Sequence, residues 1–478
     1  MLDDLIKEKR QKLEKYEKSE SAYPAKVKRD FPLGKVTENF GKFEEKKMAV
    51  AGRMMARRDQ GKIIFAPIDD GSGRLQLVMS DEKTENFELI KETFDVGDFI
   101  EAEGRVFKTQ RGEKSLEVAR ARIIAKSLRP LPAEWFGIED TETRLRERYL
   151  DILFRPEVRE IFVKKGGFWS AVRNFMKKAE FLEVETPVLE NVPGGADAEP
   201  FTTHMNALNR DFYLRISLEL PLKKLLVGGY EKVFEIGRIF RNEGIDREHL
   251  QDYTQMECYW AYADYNDMME FTEALYKEVV RELFGELKTE LAGQKINWSK
   301  PWKRVDYYEI FRKEAGLDLK KATHGDLLDK ARKLGLKPEK GAGKGRLIDL
   351  IFKHTAREKI VEPSFLVDPP VEVEPLAKRL SRDPGRVARF QIMALGTELG
   401  KGFSELNDPI DQRRRFDEQM KLRAAGDKEA QRLDEEYLRA MEYGMPPSAG
   451  FGMSERFFSV LMDKPVRETV IFPLMREK

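Results

Sequence analysis

A strand, a polar loop and a returning strand between residues 233 and 259 constrain the fold most strongly. Residues 233–240 mix β-branched and aromatic side chains as strands do, residues 242–252 are polar, and the strand pattern restarts at Tyr253. Since side chains alternate along a strand, four polar or aromatic residues share one face of the returning strand: Tyr253, Gln255, Glu257 and Tyr259. Such a face makes a poor core, and we predict that it forms the floor of a pocket.

A second segment, near the end of the chain, also suits a ligand site. Residues 448–453 are small and glycine-rich, so a ligand can approach the backbone closely. Ser454 can cap a following helix that carries Arg456 in its first turn. Arg241, at the edge of the first loop, is a planar cation suited to phosphate or carboxylate. The two segments together predict an anion-binding site beside a polar strand.

These two segments resemble motifs 2 and 3 of the class II aminoacyl-tRNA synthetases, and their surroundings are most similar to the lysyl-tRNA synthetases. The resemblance runs from about Val50 to the C-terminus. It implies ATP-dependent attachment of L-lysine to tRNA-Lys through a lysyl-adenylate, with Mg²⁺ as a cofactor. A counterpart of motif 1 and further similar stretches occupy residues 181–187, 193–196, 213–216, 219–220, 261–265, 403–409 and 471–476.

Composition agrees with an enzyme of this kind without specifying it. The 478 residues predict two or three domains, and 86 Lys and Arg against 85 Asp and Glu leave a net charge of +1. Binding to nucleic acid must therefore come from local patches rather than from a global field. Cys258, the single cysteine, excludes an intrachain disulfide and is expected in the core. We find no apolar stretch long enough for a membrane and no signal peptide, and expect a cytoplasmic protein.

The chain order predicts an α+β protein: an N-terminal OB-fold β-barrel followed by a class II synthetase catalytic domain, an antiparallel sheet flanked by helices. Residues 5–13 fit an exposed helix, either simply solvated or part of an arm that touches RNA phosphates. We expect barrel strands at residues 50–56, 63–68, 75–79, 99–107 and 115–123, and catalytic-domain helices at residues 158–178 and 268–284. The predicted boundaries are a helical arm at 1–45, an anticodon-binding barrel at 46–127, a linker at 128–142 and a catalytic domain at 143–478.

The resemblance assigns roles to individual residues. Arg241 and Arg456 would be catalytic, the first bridging the substrate carboxylate and the α-phosphate and the second covering the adenine; for each, a structural salt bridge is the alternative. The ATP-binding set is Arg241, Glu243, His249, Tyr253, Glu398 and Arg456. The lysine-binding set is Gly195, Glu219, Glu257, Tyr259, Lys401 and Glu405, in which buried acids suit a cationic side chain.

Two positions depart from the family pattern. Lys401 stands where the lysyl family usually has an asparagine, and it could bind an anion more strongly or repel the cationic substrate. Gln391 stands where the family has the second of two magnesium-binding glutamates, the other being Glu398, so the metal site loses a charge. The motif 2 loop differs as well, with Arg247 displaced by one position before His249.

The barrel is expected to read single-stranded RNA by stacking and by contacts to base edges. The resemblance implies that Phe65 stacks on an anticodon base and that three polar residues read the edges: Arg58, Gln76 and Glu113. The alternative for Phe65 is a core aromatic residue.

Neither a phosphate-binding loop nor a zinc site is supported by the sequence. Residues 340–345 resemble a phosphate-binding loop, but Pro338 and Gly345 occupy positions that need glycine and Ser or Thr, so we interpret them as a flexible basic turn. The four histidines have no metal-ligand spacing, which argues against zinc. Of these only His249 is a candidate for function, the alternative being that it caps its loop.

The resemblance implies a homodimer, since motif 1 with Pro187 builds the subunit interface in this class. Two other functions stay open. A paralogue could charge another cationic amino acid or modify a protein, although the intact barrel argues against this. A non-catalytic RNA-binding or regulatory protein is the second, suggested by Gln391 and Lys401.

Overall fold

The computed structural model describes residues 2–132, 140–244, 250–338, 341–427 and 430–476. The chain divides into two compact units. The first comprises residues 1–144 and 149–155, and the second comprises residues 145–148 and 156–478. None of the helices in these described ranges is both long and apolar enough to span a membrane.

The first unit contains a closed five-stranded barrel, extended by one short strand, with helices around it. Its elements are α1 (Leu2–Tyr16), α2 (Leu33–Glu38), α3 (Phe40–Phe43), β1 (Lys47–Met54), β2 (Arg58–Asp59), β3 (Ile63–Asp69), β4 (Arg74–Ser80), α4 (Phe87–Thr93), β5 (Phe99–Lys108) and β6 (Lys114–Ala125). The strand order is β1-β5-β6-β4-β3-β2, and pairing of β1 with β3 closes the barrel. Along β3 the buried Ile64, Ala66 and Ile68 alternate with half-exposed residues, as a barrel wall requires. The predicted OB-fold barrel is confirmed.

Helix α1 forms as predicted but is not simply solvated. Tyr16 at its end is 1% exposed and belongs to the barrel core, where its hydroxyl accepts a hydrogen bond from the Ile123 amide at 3.0 Å. The Lys9 ammonium donates to the Val96 and Ser127 carbonyls at 3.2 and 3.0 Å. These contacts bury one side of the helix, which the mostly charged sequence of α1 did not indicate.

Two short helices lie between the barrel and the large sheet in the sequence: α5 (Thr141–Arg146) and α6 (Arg148–Phe154). The remaining elements are α7 (Pro156–Lys178), β7 (Leu182–Glu183), β8 (Leu189–Glu190), β9 (Thr202–Met205), β10 (Arg210–Leu214), α8 (Glu219–Val227), β11 (Lys232–Phe240), β12 (Asp252–Ala261), α9 (Tyr265–Phe284), β13 (Lys288–Leu291), β14 (Gln294–Asn297), β15 (Lys303–Asp306), α10 (Tyr307–Ala315), α11 (His324–Lys333), α12 (Lys344–Thr355), β16 (Ser364–Val367), β17 (Arg379–Leu380), β18 (Asp383–Val387), β19 (Arg389–Ala394), β20 (Thr397–Ser404), α13 (Pro409–Ala424), α14 (Glu435–Glu442), β21 (Ser448–Ser454) and α15 (Arg456–Leu461).

An eight-stranded sheet organises the second unit, in the order β15-β16-β19-β20-β21-β12-β11-β7. The outer pairs β15–β16 and β7–β11 are parallel, and the strands between them are antiparallel. Helices α7 and α9 cover one face, where Phe168 and Val279 pack with Met256, Cys258 and other strand residues. The predicted antiparallel sheet with flanking helices, and the predicted hairpin of β11 and β12, are confirmed.

Candidate active site

A cavity of about 310 Å³ lies on the face of the eight-stranded sheet opposite α7 and α9, within the size range of small-molecule sites. All four residues predicted to share one face of β12 line it, which confirms the predicted pocket floor: Tyr253, Gln255, Glu257 and Tyr259. On the other face Cys258 is fully buried in the core, as predicted, and burial raises the pKa of its thiol.

Strand register brings distant parts of the sequence into one row across this floor. Gly452 of β21 pairs with Glu257 on one side and with Lys401 on the other, and Lys401 in turn pairs with Gln391. Because strands are about 4.8 Å apart, Lys401 lies about 10 Å from Glu257. The two departures from the family pattern are therefore cross-strand neighbours in the same cavity wall.

The Glu257 carboxylate is held by four neutral donors. Its Oε1 accepts hydrogen bonds from the Ser217 hydroxyl at 2.7 Å, the Leu218 amide at 2.9 Å and the Gln255 side chain at 2.6 Å, while Oε2 accepts one from the Tyr259 hydroxyl at 2.8 Å. These four hydrogen bonds fix the orientation of the Glu257 carboxylate at the cavity floor.

A buried ionic cluster stands next to Glu257. Glu219, the first residue of α8, lines the cavity, and its Oε1 is 2.5 Å from the ammonium of Lys223, which also pairs with Glu405. Burial raises the pKa of Glu219 to about 7 and raises that of Glu405 as well, since Lys223 only partly offsets the lost hydration. The cavity is acidic at this end.

A second cluster lies on β19 and β20. The Lys401 ammonium is 3.0 Å from Oε2 of Glu374, and Nε of Arg389 is 3.4 Å from the same oxygen. Against the effect of burial, these two cations hold the pKa of Glu374 below its usual value. Nearby, the Gln391 side chain donates to Oε2 of Glu398 at 2.5 Å.

Cations and an aromatic ring mark the other end of the floor. Arg241 follows β11, its Nε donates to the Ile216 carbonyl at 3.2 Å, and its guanidinium carbon is 5.7 Å from the centre of the Tyr253 ring. Arg456 is the first residue of α15, as predicted, and lines the same cavity. The helix N-cap is Glu455 rather than the predicted Ser454, whose hydroxyl instead accepts the Arg456 amide at 3.2 Å. Tyr253 and Tyr259 are six residues apart on one strand, so about 20 Å separates their Cα atoms along the cavity floor.

Two glycines shape the acidic end. Gly195 has a φ of +83°, and a Cβ there would lie 2.8 Å from Cβ of Glu219. A Cβ at Gly450 would overlap Oε1 of Glu405 and the Tyr259 ring. At both positions the neighbouring side chains leave no space for a Cβ, so glycine fits where a larger residue would displace the wall.

Most of the predicted site residues share this cavity. Glu243 and Glu405 are not among the described residues that line it: Glu243 is half-buried after β11, and Glu405 lies behind the wall with Lys223. His249 is outside the described residues. The predicted residues that do line the cavity are Gly195, Glu219, Arg241, Tyr253, Glu257, Tyr259, Gln391, Glu398, Lys401 and Arg456.

Sequence reasoning missed several wall residues. Glu374 and Arg389 gave no motif, although Arg389 stands two residues before Gln391 and so shares its face. Gly343 and Gly345, interpreted as part of a flexible turn, line the cavity where α12 begins, and Arg346 follows them. The two glycines in the sequence could have indicated a close approach of the backbone. At Gly345 the structure has such an approach, because a Cβ there would overlap the Glu372 carbonyl.

The four predicted RNA-reading residues lie in the first unit. Arg58 pairs directly with Phe65 across β2 and β3, and Gln76 pairs with Pro67, two residues further along. Phe65 is therefore on the outer face of the barrel and half-buried, not in the core, so the core-aromatic alternative is wrong. Gln76 is buried and donates to the Ser115 hydroxyl at 3.0 Å, while Glu113 is exposed just before β6.

Comparison with known proteins gives matches over both units. Residues 140–476 match the family model described as tRNA synthetases class II (D, K and N), and residues 48–124 match that of the OB-fold nucleic acid binding domain. A lysine–tRNA ligase from Pelotomaculum thermopropionicum is 43% identical, covering 100% of this chain and 96% of the relative. Enzymes of the same name from Moorella thermoacetica and Carboxydothermus hydrogenoformans are 45% and 42% identical, covering 93% and 100% of this chain and 91% and 99% of the relatives.

We predict that Gly450→Ala destabilises the fold while Gly452→Ala does not. The new methyl group at 450 would overlap Glu405 and Tyr259, whereas at 452 it would meet its nearest neighbour, Cγ of Glu257, at an ordinary 3.4 Å. Overpacking of this kind costs about 1–3 kcal/mol. Urea denaturation should show a loss of that size for Gly450→Ala and less than about 1 kcal/mol for Gly452→Ala. Equal losses would mean that the space beside Gly450 is not constrained.

Proposed function

This chain belongs to the class II tRNA synthetases of the D, K and N group, and from this premise we propose that it attaches L-lysine to tRNA-Lys, using ATP and a lysyl-adenylate intermediate. One observation carries the choice of amino acid: the acidic end of the cavity, with Glu219 and Glu257 in its wall. An ammonium group taken from water needs such carboxylates. The names of the relatives support the same amino acid.

The cationic end suits the nucleotide. Activation brings the lysine carboxylate to the α-phosphorus of ATP, so two anions must be held in line and their charge neutralised. Arg241 is the group proposed to bridge them, Tyr253 lies under the adenine, and Arg456 covers its other face. Glu243 accepts a hydrogen bond from the adenine amino group, and His249 binds near the outer phosphates. No protein nucleophile is required.

The acidic end suits the lysine side chain. Glu219, Glu257 and Glu405 are proposed to receive its ammonium, with the Tyr259 hydroxyl as a neutral acceptor, because that hydroxyl already donates to Glu257. Gly195 leaves room for the backbone amine of the substrate. Lys401 faces the substrate carboxylate, and Glu374 fixes its ammonium.

The residues on β19 and β20 would hold magnesium together with the phosphates of ATP. Glu398 would supply a carboxylate and Gln391 a neutral oxygen, and no group of three or more His, Cys, Asp or Glu side chains that could hold a metal occurs in the described ranges. When bound, the ion neutralises phosphate charge and favours departure of pyrophosphate. Lys401 and Arg389 contribute further positive charge in the same wall.

The barrel is proposed to bind the anticodon. Phe65 offers a half-exposed ring for stacking, while Arg58 and Gln76 flank it and Glu113 lies at the start of β6. We propose the domain roles expected from the sequence. Residues 46–127 read the anticodon and residues 143–478 carry out catalysis, while residues 1–45 form a helical arm and residues 128–142 a linker. The cytoplasmic location stays a prediction.

We propose a homodimer. Its support is a run of exposed apolar side chains that begins at the motif 1 counterpart and includes β7, β8 and β9: Leu182, Val188, Leu189, Met205 and Leu208. Apolar residues grouped on one short stretch are typical of a protein–protein contact.

Lysine-dependent ATP–pyrophosphate exchange tests the proposal directly. We expect exchange with lysine and much less with arginine or ornithine. Exchange with another cationic amino acid would favour the paralogue, and none with any amino acid would favour a regulatory RNA-binding protein. Aminoacylation of lysine tRNA completes the test, since a protein-modifying paralogue would activate its amino acid without charging tRNA.

Arg241→Ala should lower adenylate formation by several orders of magnitude while the fold survives. The reason is loss of the cation that stabilises charge in the transition state, where one such contact contributes about 2.7–4 kcal/mol or more. Arg238→Ala is the matched control, because Arg238 is in the same hairpin but pairs with Asp252 on an exposed surface. Near-normal exchange in Arg241→Ala would remove Arg241 from the mechanism.

Phe65→Ala should weaken aminoacylation of lysine tRNA and leave lysine activation unchanged. Loss of one stacked base costs about 1–3 kcal/mol. Phe43→Ala is the control, since that ring packs against the barrel core. An equal loss of Phe65→Ala in exchange and in aminoacylation would indicate a structural role.

Lys401→Asn should raise the magnesium requirement of exchange, and Gln391→Glu should partly restore activity to that variant. Lys401 and Gln391 both make the local charge more positive than the residues usual in the family. Less of the phosphate charge is therefore left for a metal ion to neutralise. The measurements are magnesium titrations of exchange for the parent, both single variants and the double variant, and ATP binding by calorimetry with and without magnesium. Lys353→Gln, which removes a cavity-lining lysine paired with Asp349, controls for loss of charge. Identical curves across the parent and the three Lys401 and Gln391 variants would show that these positions do not affect metal use.

A further inference from the structure

Lys223 has no role in the function proposed above, yet it is among the most completely buried charged residues that the structure describes. It is 0% exposed, and its ammonium contacts Glu219 and Glu405. The faces of three aromatic rings surround it, with ring centres 5.3 Å away for Phe403, 5.9 Å for Tyr259 and 6.0 Å for Tyr437. The charge of a lysine thus lies at the acidic end of a cavity proposed to bind lysine.

Packing alone does not explain this cluster. Burying three charged side chains removes their hydration, and well-packed apolar residues of similar volume are often as stable. Glu219 lines the cavity, and Glu405 lies directly behind Gly450 in its wall. The cluster is therefore part of the site rather than a distant structural element.

Each of the two carboxylates places one of its oxygens against Lys223. Lys223 contacts Oε1 of Glu219 and Oε2 of Glu405. Oε1 of Glu405 is buried without a hydrogen-bond partner among the described residues, and it is the atom that a Cβ at Gly450 would overlap. Gly450 lines the cavity, so this unsatisfied oxygen lies against the cavity wall. A buried oxygen of this kind is a site for a donor that the protein does not supply.

Resting on the proposed function, we infer that Lys223 is a positioning and specificity residue for the lysine substrate. Its ammonium holds one oxygen each of Glu219 and Glu405, so that their remaining oxygens converge on the position of the substrate ammonium. When both carboxylates are ionised, the three side chains carry one net negative charge, which one substrate ammonium balances.

The charge of Lys223 is supported by its surroundings. Burial opposes it, but Glu219 and Glu405 raise the pKa of the ammonium well above its usual value. The titratable groups that face the cluster from the packed elements are Glu219 on α8, Glu257 and Tyr259 on β12, Glu374, Glu405 after β20 and Tyr437 on α14. Without Lys223, Glu219 and Glu405 would be two buried acids that cannot both ionise readily, and one would hold a proton.

The test is steady-state exchange kinetics of Lys223→Met, an uncharged residue of similar length. We expect the KM for lysine to rise at least tenfold at pH 7, while the KM for ATP changes less than twofold. Between pH 7 and 9 the KM for lysine should fall more steeply than in the parent. The sign follows because a carboxyl with a raised pKa is neutral at low pH, ionises as the pH rises, and then attracts the substrate ammonium, whose own pKa is about 10.4.

Three further variants separate charge from packing. Lys224→Met, the neighbouring lysine that pairs with Glu436 on the surface, should leave both KM values unchanged. Lys223→Arg retains the cation and should keep a KM for lysine closer to that of the parent. Lys223→Met combined with Glu405→Gln leaves one carboxyl group in the cluster instead of two, so the pH dependence of the KM for lysine should be shallower than in Lys223→Met, although lysine still binds weakly. The double variant also avoids the excess charge if Lys223→Met alone unfolds.

Parallel changes in the KM for lysine and ATP, or a pH dependence in the double variant as steep as in Lys223→Met, would overturn the inference. So would an unchanged KM for lysine in Lys223→Met with normal folding by near-UV circular dichroism. These results differ from failure of the proposed function itself, in which the unmodified protein would show no lysine-dependent exchange.

Discussion

Buried negative charge is the constraint on which the rest of the catalytic unit depends. Glu219, Glu257, Glu374 and Glu405 are each at most 4% exposed, and a carboxylate removed from water needs donors or cations beside it. Each is compensated differently. Glu257 has four neutral donors, Glu219 and Glu405 share Lys223, and Glu374 pairs with Lys401 and Arg389. Glu374 is therefore neutralised by two protein cations, whereas Glu219, Glu257 and Glu405 can still bind a cationic substrate.

The sheet converts this electrostatic arrangement into a reaction site. Strand β12 has one face in the core and one in the cavity, so Glu257 and Tyr253 keep a fixed separation along a rigid element. The acidic end can then bind the side chain of an amino acid while its carboxylate extends toward Arg241. Fixed spacing of this kind is how positioning lowers a barrier without a protein nucleophile. The proposed acyl-adenylate chemistry depends on this geometry more than on any single group.

Sequence predicted the part of the site that follows from local pattern. Alternation along residues 253–259 identified the cavity floor. The glycine-rich segment before Ser454 was predicted to let a ligand approach, and it forms β21, which lines the cavity beside β12. Pairing of Gln391 with Lys401 was not predictable without a register, because the two strands meet around a bulge after Ile392. Lys223 gave no signal either: it follows apolar Leu222 in a helix, and only tertiary packing brings it to Glu405. The barrel strands were predictable from their turns, whereas the burial of α1 depended on Tyr16 and Lys9 finding partners far along the chain.

The most direct test of the central claim is a crystal structure of the protein with lysine and a non-hydrolysable ATP analogue. The account predicts the lysine ammonium within hydrogen-bond distance of Glu219 and Oε1 of Glu405, the adenine on the Tyr253 ring, and the lysine carboxylate directed to Arg241. A lysine side chain bound away from Glu219, Glu257 and Glu405, with these carboxylates contacting only protein groups, would contradict it.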